Sequence, residues 1–346
     1  MGNTDTLEKI KAAKERLGKD LVILAHYYQH HDIIKFADFI GDSLQLAQIA
    51  SKQKDARYIV FCAVSFMAET ARILCNPDQK VLHPEPVARC PLAEMADIDN
   101  VEKAWAAIQK TGKKIVPVVY VNSNADLKAF CGRNEGLACT SSNAKKVMEH
   151  ILSENSVPFF FPDENLGRNT AHTMGIKDSE MYLWDPHSND EDRNAASMKA
   201  ARIFLWRGFC IIHTMFSSSD VEHIRKEYDS IKVVVHPECT TEVVDISDFA
   251  GSTSFIKDVV ERSEAGSKWA IGTEINFVNS IKAANPDKFV IPLKTSGCRE
   301  MAKVTPEKLL RVLEGLVDGT ALHQVFVDSS YSENARTALK RMLEIA

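Results

Sequence analysis

Short unbroken apolar runs recur along the chain, and stretches with helical spacing separate most of them. The runs are Leu21–Ala25, Tyr58–Ala63, Ile115–Val121, Pro158–Phe161, Ile203–Trp206, Ile231–Val235, Trp269–Ile271 and Phe289–Leu293. A strand with one wet face alternates apolar and polar residues, whereas an unbroken run suits a parallel strand covered on both faces. Helical spacing marks Thr4–Leu17, Asp42–Lys54 and Val101–Thr111, and returns near the end in Pro306–Leu316 and Glu333–Leu343. Thr305-Pro306 makes a favourable helix start, because the first turn does not use the N–H that proline lacks. This alternation of strand and helix predicts an α/β chain with parallel sheets and helices on both sheet faces.

The order of features repeats three times. An apolar strand ends in a polar pair spaced i, i+2: His26 with Tyr28, Tyr120 with Asn122, His236 with Glu238. Small hydroxyl residues then stand beside a helix start, in Ser65–Thr70, Thr140–Asn143 and Ser252–Ser254. Each unit finishes with a strand, a loop and one cysteine: Cys90, Cys210 and Cys298. The middle span, Ile115 to Cys210, is the longest, and its excess is expected in the polar stretch Asp185–Asn194 around Asn189-Asp190-Glu191-Asp192. At 346 residues the chain is also longer than one hydrophobic core usually supports. Three units are therefore expected, at about residues 1–110 with the first helix, 111–225, and 226–346 with the C-terminal helices. Ligands of open parallel sheets sit beyond the carboxyl ends of strands, so three such ends facing one axis would gather the pairs and the cysteines.

Charge and cysteine usage narrow the function. The net charge of −5 offers no basic excess for nucleic acid. No run reaches the 18 or so apolar residues of a membrane span, and Met1–Asp20 lacks the apolar core of a signal peptide, so a cytoplasmic location is expected. There disulfides are disfavoured, and each of the eight cysteines is a small buried hydrophobe, a reactive thiol or a metal ligand. Cys62 in an apolar strand, Cys75 at a helix end, Cys131 and Cys139 read as structural, while Cys239 after His236-Pro237-Glu238 is ambiguous. Cys90, Cys210 and Cys298 instead lie in loops after strands, each with Arg or Gly beside it, where functional groups concentrate. Three thiolates can hold a cubane cluster and leave one iron open as a Lewis acid. Zinc is the competing metal, with His213, three residues after Cys210, as the fourth ligand.

At this point the sequence resembles a known family. Leu24-Ala25-His26-Tyr27-Tyr28-Gln29, Ala37-Asp38-Phe39-Ile40-Gly41-Asp42-Ser43 and Phe66-Met67-Ala68-Glu69-Thr70-Ala71 look like signatures of the quinolinate synthases, the second enzymes of bacterial de novo NAD synthesis. So do Tyr120-Val121-Asn122-Ser123, Thr140-Ser141-Ser142-Asn143-Ala144, Pro162-Asp163-Glu164-Asn165-Leu166, His236-Pro237-Glu238-Cys239 and Gly251-Ser252-Thr253. The matches run in order through nearly the whole chain. The resemblance implies three αβα sandwich domains related by a pseudo-threefold axis, around one [4Fe–4S] cluster on Cys90, Cys210 and Cys298 with one open iron. Some relatives carry C-x-x-C-x-x-C around the last ligand; here Cys298 stands alone, which speaks against a redox disulfide there.

The implied reaction condenses iminoaspartate with dihydroxyacetone phosphate to quinolinate, releasing phosphate and two waters. The resemblance also allows transient contact with the aspartate oxidase that makes iminoaspartate. The family's acid–base positions fall on His26, Tyr28, Tyr120, His236 and Glu238, with Glu238 and His236 expected as a proton-transfer pair and His213 as its neighbour or as plain core. Ser43, Ser141, Ser252 and Thr253 would bind carboxylate or phosphate oxygens beside helix starts, although hydroxyls there also act as ordinary caps. His26, Asn122, Tyr120, His236 and Glu238 would complete the substrate contacts. Two other readings keep the metal but change the role: a cluster hydro-lyase for another hydroxy acid, and a non-catalytic cluster protein with four protein ligands.

Overall fold

A computed structural model describes residues 4–188 and 194–345. The polar insertion expected around Asn189-Asp190-Glu191-Asp192 falls outside the described residues. The first sheet contains β1 (Leu21–His26), β2 (Phe39–Gly41), β3 (Tyr58–Cys62) and β4 (Lys80–Leu82), in the order β2-β1-β3-β4. The second contains β5 (Ile115–Tyr120), β6 (Leu137–Cys139), β7 (Val157–Phe161), β8 (Met181–Trp184) and β9 (Ile203–Trp206), in the order β6-β5-β7-β9-β8. The third contains β10 (Lys232–Val235), β11 (Phe249–Ala250), β12 (Lys268–Gly272) and β13 (Phe289–Pro292), in the order β11-β10-β12-β13. Strand pairing is parallel in all three sheets.

Without the edge strand β8 the three orders coincide position by position, so the units share one topology. The strand that opens each unit lies between the second and the third. Its carboxyl end is thus the switch point where neighbouring crossovers leave in opposite directions and a crevice opens. His26, Tyr120 and His236 stand at those three ends. Part of the middle unit's extra length is β8, whose run Met181-Tyr182-Leu183-Trp184 is not among the apolar runs named above.

Burial on both strand faces explains the unbroken apolar runs. Leu21, Ile23 and Ala25 pack into one cluster while Leu24 enters another, and Val233 and Val235 likewise part from Val234. Side chains alternate across a strand, so a two-faced core demands apolar residues at every position. The helices found by spacing form as Thr4–Leu17, Ser43–Lys52, Ile98–Gln109, Pro306–Val317 and Ser329–Ile345. Thr305 accepts the Lys308 N–H at the start of Pro306–Val317, as the Thr-Pro pair requires.

Two placements differ from expectation. The C-terminal helices do not cover the third sheet. Leu309, Val312 and Leu313 of Pro306–Val317 pack with Ile10 of the first helix and Ile23 of β1, whereas Ala335, Ala338 and Leu339 of Ser329–Ile345 join the core shared by the first two sheets. In addition, the first unit's counterpart of Thr140–Asn143 and Ser252–Ser254 is Asp42-Ser43 after β2, and Ser65–Thr70 follows the third strand instead. The two- and three-residue strands β2, β6 and β11 are too short to carry a periodic signal, so the hydroxyl segment expected in the first unit follows a different strand from those of the other two.

Candidate active site

One cleft gathers the strand ends of all three units. His26, Tyr28 and Ser43 line it from the first unit, Tyr120, Asn122 and Ser141 from the second, and His236, Glu238 and Thr253 from the third. Cys90, Cys210 and Cys298 line the same cleft. Among the expected substrate contacts only Ser252 is not part of the lining; its hydroxyl caps the helix Thr253–Glu261 by accepting the Phe255 N–H.

The i, i+2 pairs have a local cause. The His26 ring accepts the Tyr28 backbone N–H on Nδ1 at 3.1 Å, and the His236 ring accepts the Glu238 N–H on Nδ1 at 3.3 Å. Each bond turns the chain as it leaves the sheet and leaves Nε2 as the protonated nitrogen. Burial lowers His26 to about 4, against the pull of Asp42 and Glu238, and lowers His236 to about 3 with help from His213. Both rings are therefore neutral near pH 7. The loop after β10 is held from the second unit, where the Asn169 amide donates to the carbonyls of Pro237 at 2.9 Å and Cys239 at 2.8 Å.

Glu238 is the hub. Tyr120 Oη donates to its Oε1 at 2.5 Å, and His213 Nδ1 lies 2.6 Å from its Oε2. Burial alone would raise this carboxyl, but the His236 and His213 rings and the two hydrogen bonds outweigh it and hold the group at about 2. An ionised Glu238 makes His213 the Nδ1–H tautomer, so its Nε2 is an acceptor, 3.1 Å from Thr273 Oγ1 and 3.3 Å from Tyr28 Oη. Tyr28 Oη and Thr273 Oγ1 are themselves 2.8 Å apart. Burial raises both Tyr28 and Tyr120 well above the usual phenol range, which keeps each a donor. The expected pairing of Glu238 with His236 is not the close one: His236 Nδ1 stands 3.8 Å from Glu238, stacks on His213 at 4.3 Å between ring centres, and directs Nε2 to Ser141 Oγ at 3.3 Å.

The cysteines divide by exposure. Cys62, Cys75, Cys131, Cys139 and Cys239 are buried at 0–1%, whereas Cys90, Cys210 and Cys298 are only partly buried. Burial first, then the neighbouring Cys298 and Glu238, push the Cys90 thiol up to about 12. Cys210 is raised by burial first, then by Glu238 and Cys90. Three partly buried thiols that open on one cleft make a donor set that fits a metal group, since a thiol ligand binds as its thiolate. Carboxyls stand at the neighbouring strand ends: Asp163 after β7 accepts the Leu166 N–H, and Glu274 after β12 accepts the N–H groups of Asn276 and Phe277. Cys210, His213 and Glu238 also offer ligand atoms within 4.8 Å of one another. Both nitrogens of His213 and both oxygens of Glu238 already have hydrogen-bonding neighbours, so these two residues form a hydrogen-bonded network beside Cys210.

A family model described as quinolinate synthetase A protein matches residues 8–344. The chain belongs to the quinolinate synthase family. The quinolinate synthase of Geobacillus kaustophilus is 45% identical, covering 100% of this chain and 95% of the relative. That of a Bacillus cereus strain is 43% identical, covering 99% and 94%.

Beside the expected site residues, the cleft includes Asp42, Met67, Thr140 and Ser142, all within the motifs that carry the resemblance, and Met301, which is outside them. Thr273, which completes the relay, also escaped the sequence reading. Its signal was available in the strand-end rule, because Thr273 directly follows β12 just as Tyr28 follows β1 by two residues. Among the described residues no helix is long and apolar enough to cross a membrane.

Proposed function

We propose that this chain forms quinolinate from iminoaspartate and dihydroxyacetone phosphate, with release of phosphate and two waters, as a step of de novo NAD synthesis. The reaction balances without an external oxidant, so the site needs acids, bases and anion-binding groups and no electron acceptor. The observation that carries the reading is the gathering of three polar strand-end pairs and the three partly buried cysteines on one cleft, in a chain 45% identical to a quinolinate synthase.

Cys90, Cys210 and Cys298 would hold a [4Fe–4S] cluster. When bound, such a cluster supplies one iron without a protein ligand, a Lewis acid for a substrate oxygen. The remaining chemistry belongs to the chain. Ionised Glu238 orients His213 through Nδ1–H and would stabilise a positive charge on that ring. His213 Nε2 is then placed to receive the proton of Tyr28 Oη, directly or through Thr273, and to return it. This follows the logic of a carboxylate–imidazole–hydroxyl relay. Tyr28 is the group that would protonate a departing hydroxyl or take a proton during enolisation. Tyr120 donates to Glu238 and borders the same cleft.

Neutral His26 and His236 present Nε2–H donors suited to substrate oxygens, and Asn122 offers an amide. Ser43, Ser141 and Thr253 stand at three separate helix starts, where hydroxyls and backbone N–H groups favour anions. That distribution fits a substrate pair with two carboxylates and a phosphate. Handover of iminoaspartate from a docked aspartate oxidase and a cytoplasmic location complete the reading.

The test is anaerobic purification, cluster reconstitution and a quinolinate assay with both substrates. Quinolinate and phosphate should appear in equal amounts. Release of water from another hydroxy acid, with dihydroxyacetone phosphate untouched, would favour the hydro-lyase reading instead.

A further inference from the structure

Asp42 is buried at 5% exposure and borders the cleft, yet it belongs to none of the strand-end pairs. Its carboxylate touches all three units. Oδ1 accepts the Gln45 N–H at 2.9 Å as the cap of its own helix, Ser43–Lys52. Oδ2 accepts the Ser142 hydroxyl of the second unit at 2.8 Å and the Ser254 hydroxyl of the third at 2.6 Å. Gln45 in turn takes the Asp42 N–H at 3.2 Å and the Tyr27 hydroxyl at 3.3 Å, which fixes the carboxylate from behind.

Ser142 and Ser254 directly follow Ser141 and Thr253, and Asp42 directly precedes Ser43. The residues that Asp42 holds are therefore chain neighbours of the three hydroxyl residues presented to the cleft. All three helix starts thus meet at one carboxylate, which caps its own helix and accepts a hydroxyl from beside each of the other two. The repeat is broken to achieve this. One unit supplies the acceptor, and the two others supply donors.

We propose that Asp42 is a positioning residue, a clasp that sets the spacing of the three helix starts and so fixes Ser43, Ser141 and Thr253 as one anion-binding surface. The clasp rests on the quinolinate-forming reading only for what it binds, since its geometry stands without it. In Asp42→Ala both hydroxyls lose their acceptor, and each helix start can drift from the other two. Asn at this position is nearly the same shape, still caps Gln45, and can donate to hydroxyls that rotate to accept.

The experiment compares reconstituted wild type with Asp42→Ala, Asp42→Asn and the double variant Ser142→Ala/Ser254→Ala, at equal iron content. The expected result is a KM raised about tenfold in Asp42→Ala and in the double variant, the worth of one or two hydrogen bonds, with kcat changed far less. Asp42→Asn should keep a KM close to wild type. Hydrogen exchange supplies a readout independent of turnover: the amides of Val147 and Ile256, which close the first turns of their helices, should exchange faster in Asp42→Ala. Wild-type KM and unchanged exchange in Asp42→Ala would overturn the clasp. So would an impaired Asp42→Asn beside a normal double variant, because the role would then be the charge itself. If wild type makes no quinolinate the functional reading fails, and the exchange comparison still decides the clasp.

Discussion

Tyr120 donates its phenolic hydrogen to Glu238 across 2.5 Å, tying the end of a second-sheet strand to the loop after a third-sheet strand. The same carboxylate faces His213 at 2.6 Å on its other oxygen. Glu238→Gln keeps the shape but replaces the double acceptor with one oxygen and one N–H donor. With His213 no longer held as the Nδ1–H tautomer, kcat should fall about a hundredfold or more, the usual worth of a general acid–base group. Iron content should be unchanged. Single-turnover quinolinate formation measures this, and near-normal turnover in the variant would remove Glu238 from the chemistry.

The cysteines should separate by exposure. Cys90→Ala, Cys210→Ala and Cys298→Ala should each fail to retain the full complement of about four irons per chain expected for a cubane. Cys62→Ala and Cys139→Ala, at 0% exposure in strand cores, should retain it. Iron and sulfide analysis after anaerobic reconstitution distinguishes the groups. Equal iron in all five variants would refute the ligand assignment.

His213 discriminates a cluster from a zinc site. If both ring nitrogens serve the relay, His213→Gln should keep iron at the wild-type level while kcat drops at least tenfold. A zinc site using His213 as its fourth ligand predicts the reverse order, with metal lost first. Metal analysis and turnover on one preparation decide between them.

Acid stability has a contributor remote from the cleft. His83 is 2% exposed, approaches the Ala63 carbonyl with Nε2 at 2.9 Å and accepts the Glu85 N–H on Nδ1 at 3.0 Å, and burial lowers it to about 4. The folded value is below the unfolded one, so the unfolded chain binds protons first as pH falls. The stability of the neutral ring is fully present above pH 6.5 and is lost from there down through about pH 4. Relative to His83→Gln, wild type should lose up to roughly 3 kcal/mol across that window. Urea unfolding at a series of pH values tests it, and parallel curves for the two proteins would contradict it.

Leu309 tests where the C-terminal helices belong. It is fully buried in the cluster with Ile10 and Ile23, so Leu309→Ala should cost about 2–5 kcal/mol of unfolding free energy. A loss under about 1 kcal/mol, too small for a buried leucine, would mean that the helix Pro306–Val317 is no part of the first unit's core.

Much of this molecule could be read without coordinates. Parallel strands buried on both faces need apolar residues at every position, so Leu21–His26, Ile115–Tyr120 and Lys232–Val235 announce themselves, and the polar residues that follow must lie at strand ends. Lone cysteines in loops after strands stand out by the same logic. Tertiary structure alone decided the partners. Glu238 meets His213 instead of its chain neighbour His236, Thr273 joins Tyr28, and Asp42 meets Ser142 and Ser254, because these contacts depend on how three sheets pack. The short edge strands Phe39–Gly41 and Phe249–Ala250 were also invisible, since two or three residues cannot show a period. Local spacing reports which face or end of an element a residue occupies; only packing between elements, set by burial summed over the whole chain, chooses what it touches there.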